Sequence, residues 1–179
     1  MKAVRLARYD DLTDEQWHAI RSRGIGGSDI AAIAGMNPWK TPLQVWAEKV
    51  GLEPPEPANE RMRWGQRLEE VIAKEFAERH PGWRVRRVGA VLRHPDTEYF
   101  IANIDRLILI ERGSQAVLEI KTTDARHASR WQDGPPPWVV AQAQWYLGVT
   151  GLPVAYVAAL IGGNRYVEHE LPRDDQLIA

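Results

Sequence analysis

The amino-acid sequence predicts an α/β fold, a central mixed sheet flanked by helices, and three observations carry that prediction. Residues 60–79 place Met62, Gly65, Leu68, Ile72 and Phe76 at helical spacing, which makes one face apolar. From residue 83 onward the period changes to short runs rich in Val and Ile, separated by turn residues. A proline-bounded helical run over 137–149 then divides three predicted strands from two more. With 179 residues, 44% of them hydrophobic, the chain is long enough for one compact domain and short for two. We therefore expect a single domain over 1–179, with an N-terminal helical part, 1–58, and a core part, 59–171, that carries the chemistry.

Taken in order, residues 13–23 read as a helix opened by a Thr13-x-x-Gln16 capping signal. Residues 24–35 (GIGGSDIAAIAG) form a glycine-rich turn and a short apolar helix, with Ser28 as its expected N-cap and free backbone N–H groups that favour an anion. Thr41-Pro42 opens a third helix that runs to about residue 50, and 51–59 (GLEPPEPAN), with its three prolines, must be a loop. After the long helix come strands at 83–92, 99–110 and 116–122, the helix at 137–149, and strands at 154–161 and 166–171.

Composition removes whole classes of function. No run approaches the ~18 apolar residues of a membrane span, and the opening MKAVRLARYDD lacks the apolar stretch of a signal peptide, so a cytoplasmic location is expected. The absence of cysteine excludes disulfides, thiolate zinc sites, iron–sulfur clusters and cysteine nucleophiles; a metal must be held by oxygen or imidazole. Oxygen ligands favour Mg2+ or Mn2+. A net charge of −1 argues against bulk coating of nucleic acid, yet arginines and a lysine crowd between Arg61 and Arg93, either as a phosphate-binding face or as ordinary solvated residues.

Three stretches carry the chemistry. In Leu118-Glu119-Ile120-Lys121-Thr122 strand alternation puts an acid and a lysine on one face. Asp105 interrupts the apolar run IANIDRLILI, where a carboxylate is expensive to bury without a cation. Across a hairpin the two acids make an oxygen site for a hard divalent ion, with Lys121 placed to orient or deprotonate water. On the long helix Glu69 shares the apolar face while Glu70 shares the charged one, so Glu69 is the acid directed to the metal. Helical spacing surrounds Gln142 with Trp138, Val139, Trp145 and Tyr146, which places it, and not Gln144, under the site or near a phosphate. His18, His80, His94, His127 and His169 show no ligand spacing, and of the eight tryptophans Trp39 and Trp131 lie near loops where they are free to stack on a base.

In their order these motifs resemble the YqaJ-like viral recombinase family, relatives of phage lambda exonuclease. The residues that carry the resemblance are Arg21 with Gly24 to Ile33, then Asn37-Pro38-Trp39-Lys40-Thr41-Pro42, Trp64 to Glu69, Asp105, Leu118 to Lys121 and Ala141 to Tyr146. The resemblance implies a PD-(D/E)xK, restriction-endonuclease-like core and a Mg2+-dependent exonuclease that digests double-stranded DNA from a 5′ end. It also implies a single-strand annealing protein as partner, a trimeric homo-oligomer, and a setting in bacterial or phage-infected cells. Carried over, Asp105 and Glu119, with the Ile120 carbonyl, look like metal ligands, Lys121 like the catalytic lysine and Glu69 like the helix acid. Arg21 and Ser28 look like the grip on the terminal 5′ phosphate, and Gln142 with Tyr146 like the family's Gln-x-x-x-Tyr element. Ile104 stands where the superfamily's eponymous proline would precede Asp105. An endonuclease of the same fold, or a DNA-binding module without catalysis, are the competing expectations.

Overall fold

The computed structural model describes residues 2–54 and 57–179, the side chain of Arg112 aside; Pro55 and Glu56, in the loop expected over 51–59, lie outside the described residues. Local signals set most of the helices. In α1 (Asp14–Arg23) the Thr13 hydroxyl accepts from the Gln16 N–H while the Gln16 side chain accepts from the Thr13 N–H. Thr41 and Gln44 repeat that exchange at α3 (Pro42–Lys49), with Pro42 at its first position. Asn59 caps the 20-residue α4 (Glu60–Arg79), and α5 (Pro137–Thr150) stops at Gly151, whose φ of 68° is a left-handed helix end that glycine adopts without strain.

The short α2 (Gly27–Ile33) corrects one expectation: its N-cap is Gly26 and not Ser28. The buried Asp29 carboxylate accepts the Gly26 N–H at 3.0 Å, so the first turn is closed from inside the helix and Ser28 becomes its second residue.

Among the described residues eight strands form two sheets. The larger has the order β2 (Arg84–Arg86), β5 (Arg106–Leu109), β6 (Gln115–Thr123), β7 (Val154–Ile161), β8 (Arg165–Pro172); β6 and β7 are parallel and the other pairs antiparallel. A parallel pair needs a crossover, and α5 supplies it. The smaller sheet is β1 (Val4–Arg8), β3 (Ala90–Arg93) and β4 (Ile101–Ala102). The single strands expected at 83–92 and 99–110 are therefore each two strands that belong to different sheets. The chain turns between them at Gly89, with φ 62°, and at Asn103 to Asp105, whose polar side chains are used outside the ladder. Strand β1 lies in the part expected to be helical, and a last turn, α6 (Asp175–Ile178), closes the C-terminal side.

Strand alternation on β6 divides the interior. Val117 enters the core beneath α5 with Leu107, Val139, Ala143, Leu147 and Val157, whereas Leu118 and Ile120 join Ile72, Ala73, Phe76 and Ile108 beneath α4. The five-stranded mixed sheet thus lies between helices on both faces, as expected. Among the described residues no helix is long and apolar enough to cross a membrane.

Candidate active site

The site begins where two strands part. The last rung between β5 and β6 pairs Arg106 with Leu118, and β6 continues to Thr123 with only β7 beside it. The Ile120 N–H on the open edge is taken by the Asp105 carboxylate, Oδ2 accepting at 2.7 Å. Leaving the ladder one residue before β5 is what lets Asp105 reach back over this edge.

Glu119 and Lys121 share the face expected from alternation. Glu119 is 1% exposed, its Oε1 lies 2.5 Å from Lys121 Nζ, and its buried Oε2 has no hydrogen-bond partner. Burial, and then the charge of Glu119, push the Asp105 carboxyl well above the usual range. Burial pushes Glu119 up as well, against the pull of Lys121. Burial pulls the Lys121 ammonium down, but Glu119 and Asp105 hold it above its ordinary value. An unpartnered buried carboxylate oxygen beside a second raised carboxyl is unfavourable in water's absence and is relieved by a cation. Oxygen donors of this kind fit a hard divalent ion such as Mg2+ or Mn2+.

Glu69 and Glu70 divide as their helical faces predict, with side chains 22% and 81% exposed. Both are bound by one buried residue that the sequence reading overlooked. Arg106 donates from NH1 to Glu69 Oε1, and from NH2 to Glu70 Oε2 at 2.8 Å. Glu69 bears electrostatically on Asp105, Glu119 and Lys121, but its carboxylate is turned to the guanidinium. Among the described residues no group of three acids or histidines is gathered as a metal cage; the structure brings together two carboxylates and a lysine, with the third acid one arginine away. An arginine directly after Asp105 in an apolar run was the signal that pointed to it.

Gln142 sits under the lysine: Lys121 Nζ donates to its Oε1 at 3.0 Å and its Nε2 donates to the Tyr146 hydroxyl at 2.8 Å. Gln144, buried, instead donates to the Pro172 carbonyl and accepts from the Asp174 N–H, tying down the chain before α6. Arg21 and Ser28 also meet, NH2 donating to the hydroxyl at 3.2 Å. Two further residues hold them, both unforeseen: buried Asp29 lies 3.5 Å from Arg21 NH2, and Lys49 Nζ bridges Asp29 Oδ2 at 2.8 Å and the carbonyls of Arg21 and Gly24. Gly27 presses α2 against α5 so closely that a Cβ there would lie 2.6 Å from the Tyr146 ring and 2.9 Å from Gln142. Tyr9 donates to Asn103 Oδ1 at 3.0 Å; burial and then the charges of Asp105 and Glu69 push its hydroxyl up to about 12. Trp131, expected near a loop, is buried in the core beneath α5 and is not available to a base, whereas Trp39 is exposed. No histidine was expected to serve as a ligand; His80, for one, pairs with Glu168 on β8.

The profile of the YqaJ-like viral recombinase domain matches residues 16–153. The uncharacterized protein YqaJ of Bacillus subtilis is 44% identical over 181 residues, which cover 99% of this chain and 56% of that protein, so the chain spans about half the length of this relative. Protein D345L of African swine fever virus is 39% identical over 64 residues, 36% of this chain and 18% of its own. The crystal structure of an alkaline exonuclease from Laribacter hongkongensis superposes with a TM-score of 0.72 at 22% identity, covering 92% of this chain and 84% of that one. That of a phage-related exonuclease from Haemophilus somnus does so with a TM-score of 0.64 at 13% identity, covering 87% and 86%. Both are likenesses of fold.

Proposed function

Since the chain belongs to the YqaJ-like viral recombinase domain family, we propose that it is a metal-dependent deoxyribonuclease working as an exonuclease on double-stranded DNA ends, from 5′ to 3′, with Mg2+ as cofactor and Mn2+ able to replace it. The observation that carries this reading is the meeting of Asp105, Glu119 and Lys121 at the open end of β6, with Glu119 Oε2 buried and unpartnered.

In this mechanism Asp105, Glu119 and the carbonyl of Ile120, which leaves the strand on the same edge as its N–H, would hold the ion, and Glu69 would contribute directly or through water. The chemistry such an ion would supply there is polarisation of the scissile phosphate and a lowered pKa for a water. Glu119 and Gln142 each accept one N–H hydrogen bond from the Lys121 ammonium, which fixes Nζ and leaves its third N–H to position the attacking water. Arg21 and Ser28 grip the terminal 5′ phosphate by charge-assisted hydrogen bonds, and Gln142 and Tyr146 brace the lysine from α5. In the cell such an enzyme acts in the cytoplasm, in recombination of the phage or prophage kind, leaving a 3′ strand for a single-strand annealing protein. A trimeric assembly belongs to the same reading, as does a single nuclease domain.

The test is a time course on linear duplex, with and without a 5′ phosphate, beside a covalently closed circle, in Mg2+ and in EDTA. Linear DNA shortens fastest with the phosphate, the circle stays intact, and EDTA stops the reaction. Lys121→Ala lowers cleavage by at least about 100-fold while duplex binding survives. A cut circle identifies an endonuclease instead, and binding without hydrolysis by the unaltered protein identifies a non-catalytic module.

A further inference from the structure

A cleft of about 730 Å3 opens directly beside Lys121, and its lining joins aromatic rings to cations. The lining includes Trp39, from the turn between α2 and α3, and Trp138 on α5, one helical turn before Gln142; their rings meet edge to face at 5.3 Å. It also includes Arg61 and Trp64 from the start of α4, the Trp64 ring lying under the Arg67 guanidinium at 5.4 Å. Trp39 is 58% exposed and Trp64 51%. The Trp39 backbone N–H donates to Asn37 Oδ1 at 2.8 Å, so the turn that presents this indole is itself fixed.

An indole left half in water forgoes about half of the stabilisation that full burial would bring. Two of them facing one cleft, among cations, mark a surface awaiting a planar partner. Arg130 lies 5.5 Å from the Trp138 ring and lines the cleft with Arg61 and Lys121; the acid in the lining, Asp124, is already paired with Arg126 at 3.0 Å. The cleft therefore combines positive potential with aromatic faces, a pairing that suits a nucleic acid strand whose bases are out of the helix. Paired bases are stacked on their neighbours and offer a side chain only their edges. The volume falls in the usual range for a small-ligand pocket, about 300–1,000 Å3.

We propose that this cleft binds unpaired nucleobases of the DNA strand that flank the scissile phosphate, with a base stacked on Trp39, Trp138 supporting that ring from its edge, and Arg61 and Arg130 meeting the adjoining phosphates. This rests on the nuclease reading above and adds to it a base-binding subsite that recognises π-faces and not sequence.

The test uses the full chain with calcium as the cation and two fluorescently labelled single strands: an oligothymidylate, and the same backbone with every base replaced by an abasic tetrahydrofuran. The unaltered protein binds the base-bearing strand about tenfold more tightly. Trp39→Ala removes most of that preference by weakening the base-bearing strand alone, and Trp39→Phe keeps most of it; circular dichroism melts verify folding. Equal affinity of the unaltered protein for both strands overturns the proposal, as does a preference that survives in Trp39→Ala. A parallel cleavage assay in Mg2+ separates the two readings. A base preference without hydrolysis sinks the nuclease alone, and hydrolysis without a base preference sinks this subsite alone.

Discussion

Asp105 is asked to serve two ends at once: its carboxylate closes the exposed edge of β6 through the Ile120 N–H, and it faces the buried charge of Glu119. Because burial and Glu119 raise its pKa above the unfolded value, the folded, metal-free chain binds the proton more tightly than the unfolded one. Its contribution to stability is therefore present at low pH and is lost as pH rises through the raised value. Asparagine keeps an oxygen for the Ile120 N–H and removes the charge. Asp105→Asn should thus abolish cleavage and, in EDTA at neutral pH, raise Tm by a few degrees, on the order of 1 kcal/mol. Calorimetry with and without Mn2+ checks both halves: the unaltered protein gains Tm from the metal and the variant gains less. A variant that melts below the parent in EDTA refutes the idea that this pair is uncomfortable without a cation.

Elements differ in how far they could be read in advance, and the reason is physical. The starts of α1 and α3 are local events, a Thr and a Gln three residues apart, and such signals survive in any tertiary setting. Strand β7 was equally plain, a continuous apolar run bounded by Gly151 and Pro153 before it and Gly162-Gly163 after it. Propensity does not say which strand is the neighbour, so the two splits at Gly89 and at Asn103 to Asp105 were invisible, and β1, with Val4 and Leu6 exposed, carries almost no apolar pattern. Within the site, helical face separated Glu69 from Glu70, but no pattern in α4 announces Arg106, which meets them from a strand 36 and 37 residues away. The packing of α2 on α5 is a contact of the same kind. Gly27→Ala forces a methyl group into the Tyr146 ring and Gln142, and should cost about 1–3 kcal/mol and reduce cleavage by moving Ser28 and Gln142 apart. Gly65→Ala, inside α4 with only an ordinary contact to Thr122, should instead stabilise by about 0.5–1 kcal/mol. Urea titrations of the two variants separate these signs, and a Gly27→Ala protein as stable as the parent would show that the helices are not pressed together.

At the scale of the whole molecule, the net charge of −1 means that DNA is not held by a blanket of cations. In the proposed reading binding falls to a few placed ones, Arg21 beside Ser28 and Arg61 and Arg130 in the tryptophan cleft. Three phosphate contacts on a single strand give a slope of log K against log salt of about −2, far shallower than a coating protein shows. A salt titration of strand affinity measures it, and a slope near −8 would mean that a much broader basic face is used. The proposed chemistry is seated on β6, third in the order of the five-stranded sheet and packed on both faces by separate cores. Central strands are the last to open in native-state fluctuations, while rims and termini fray first. The reaction centre is thereby anchored in the part of the protein that yields only with global melting, so warming should silence the enzyme at its unfolding transition and not in a softer step before it.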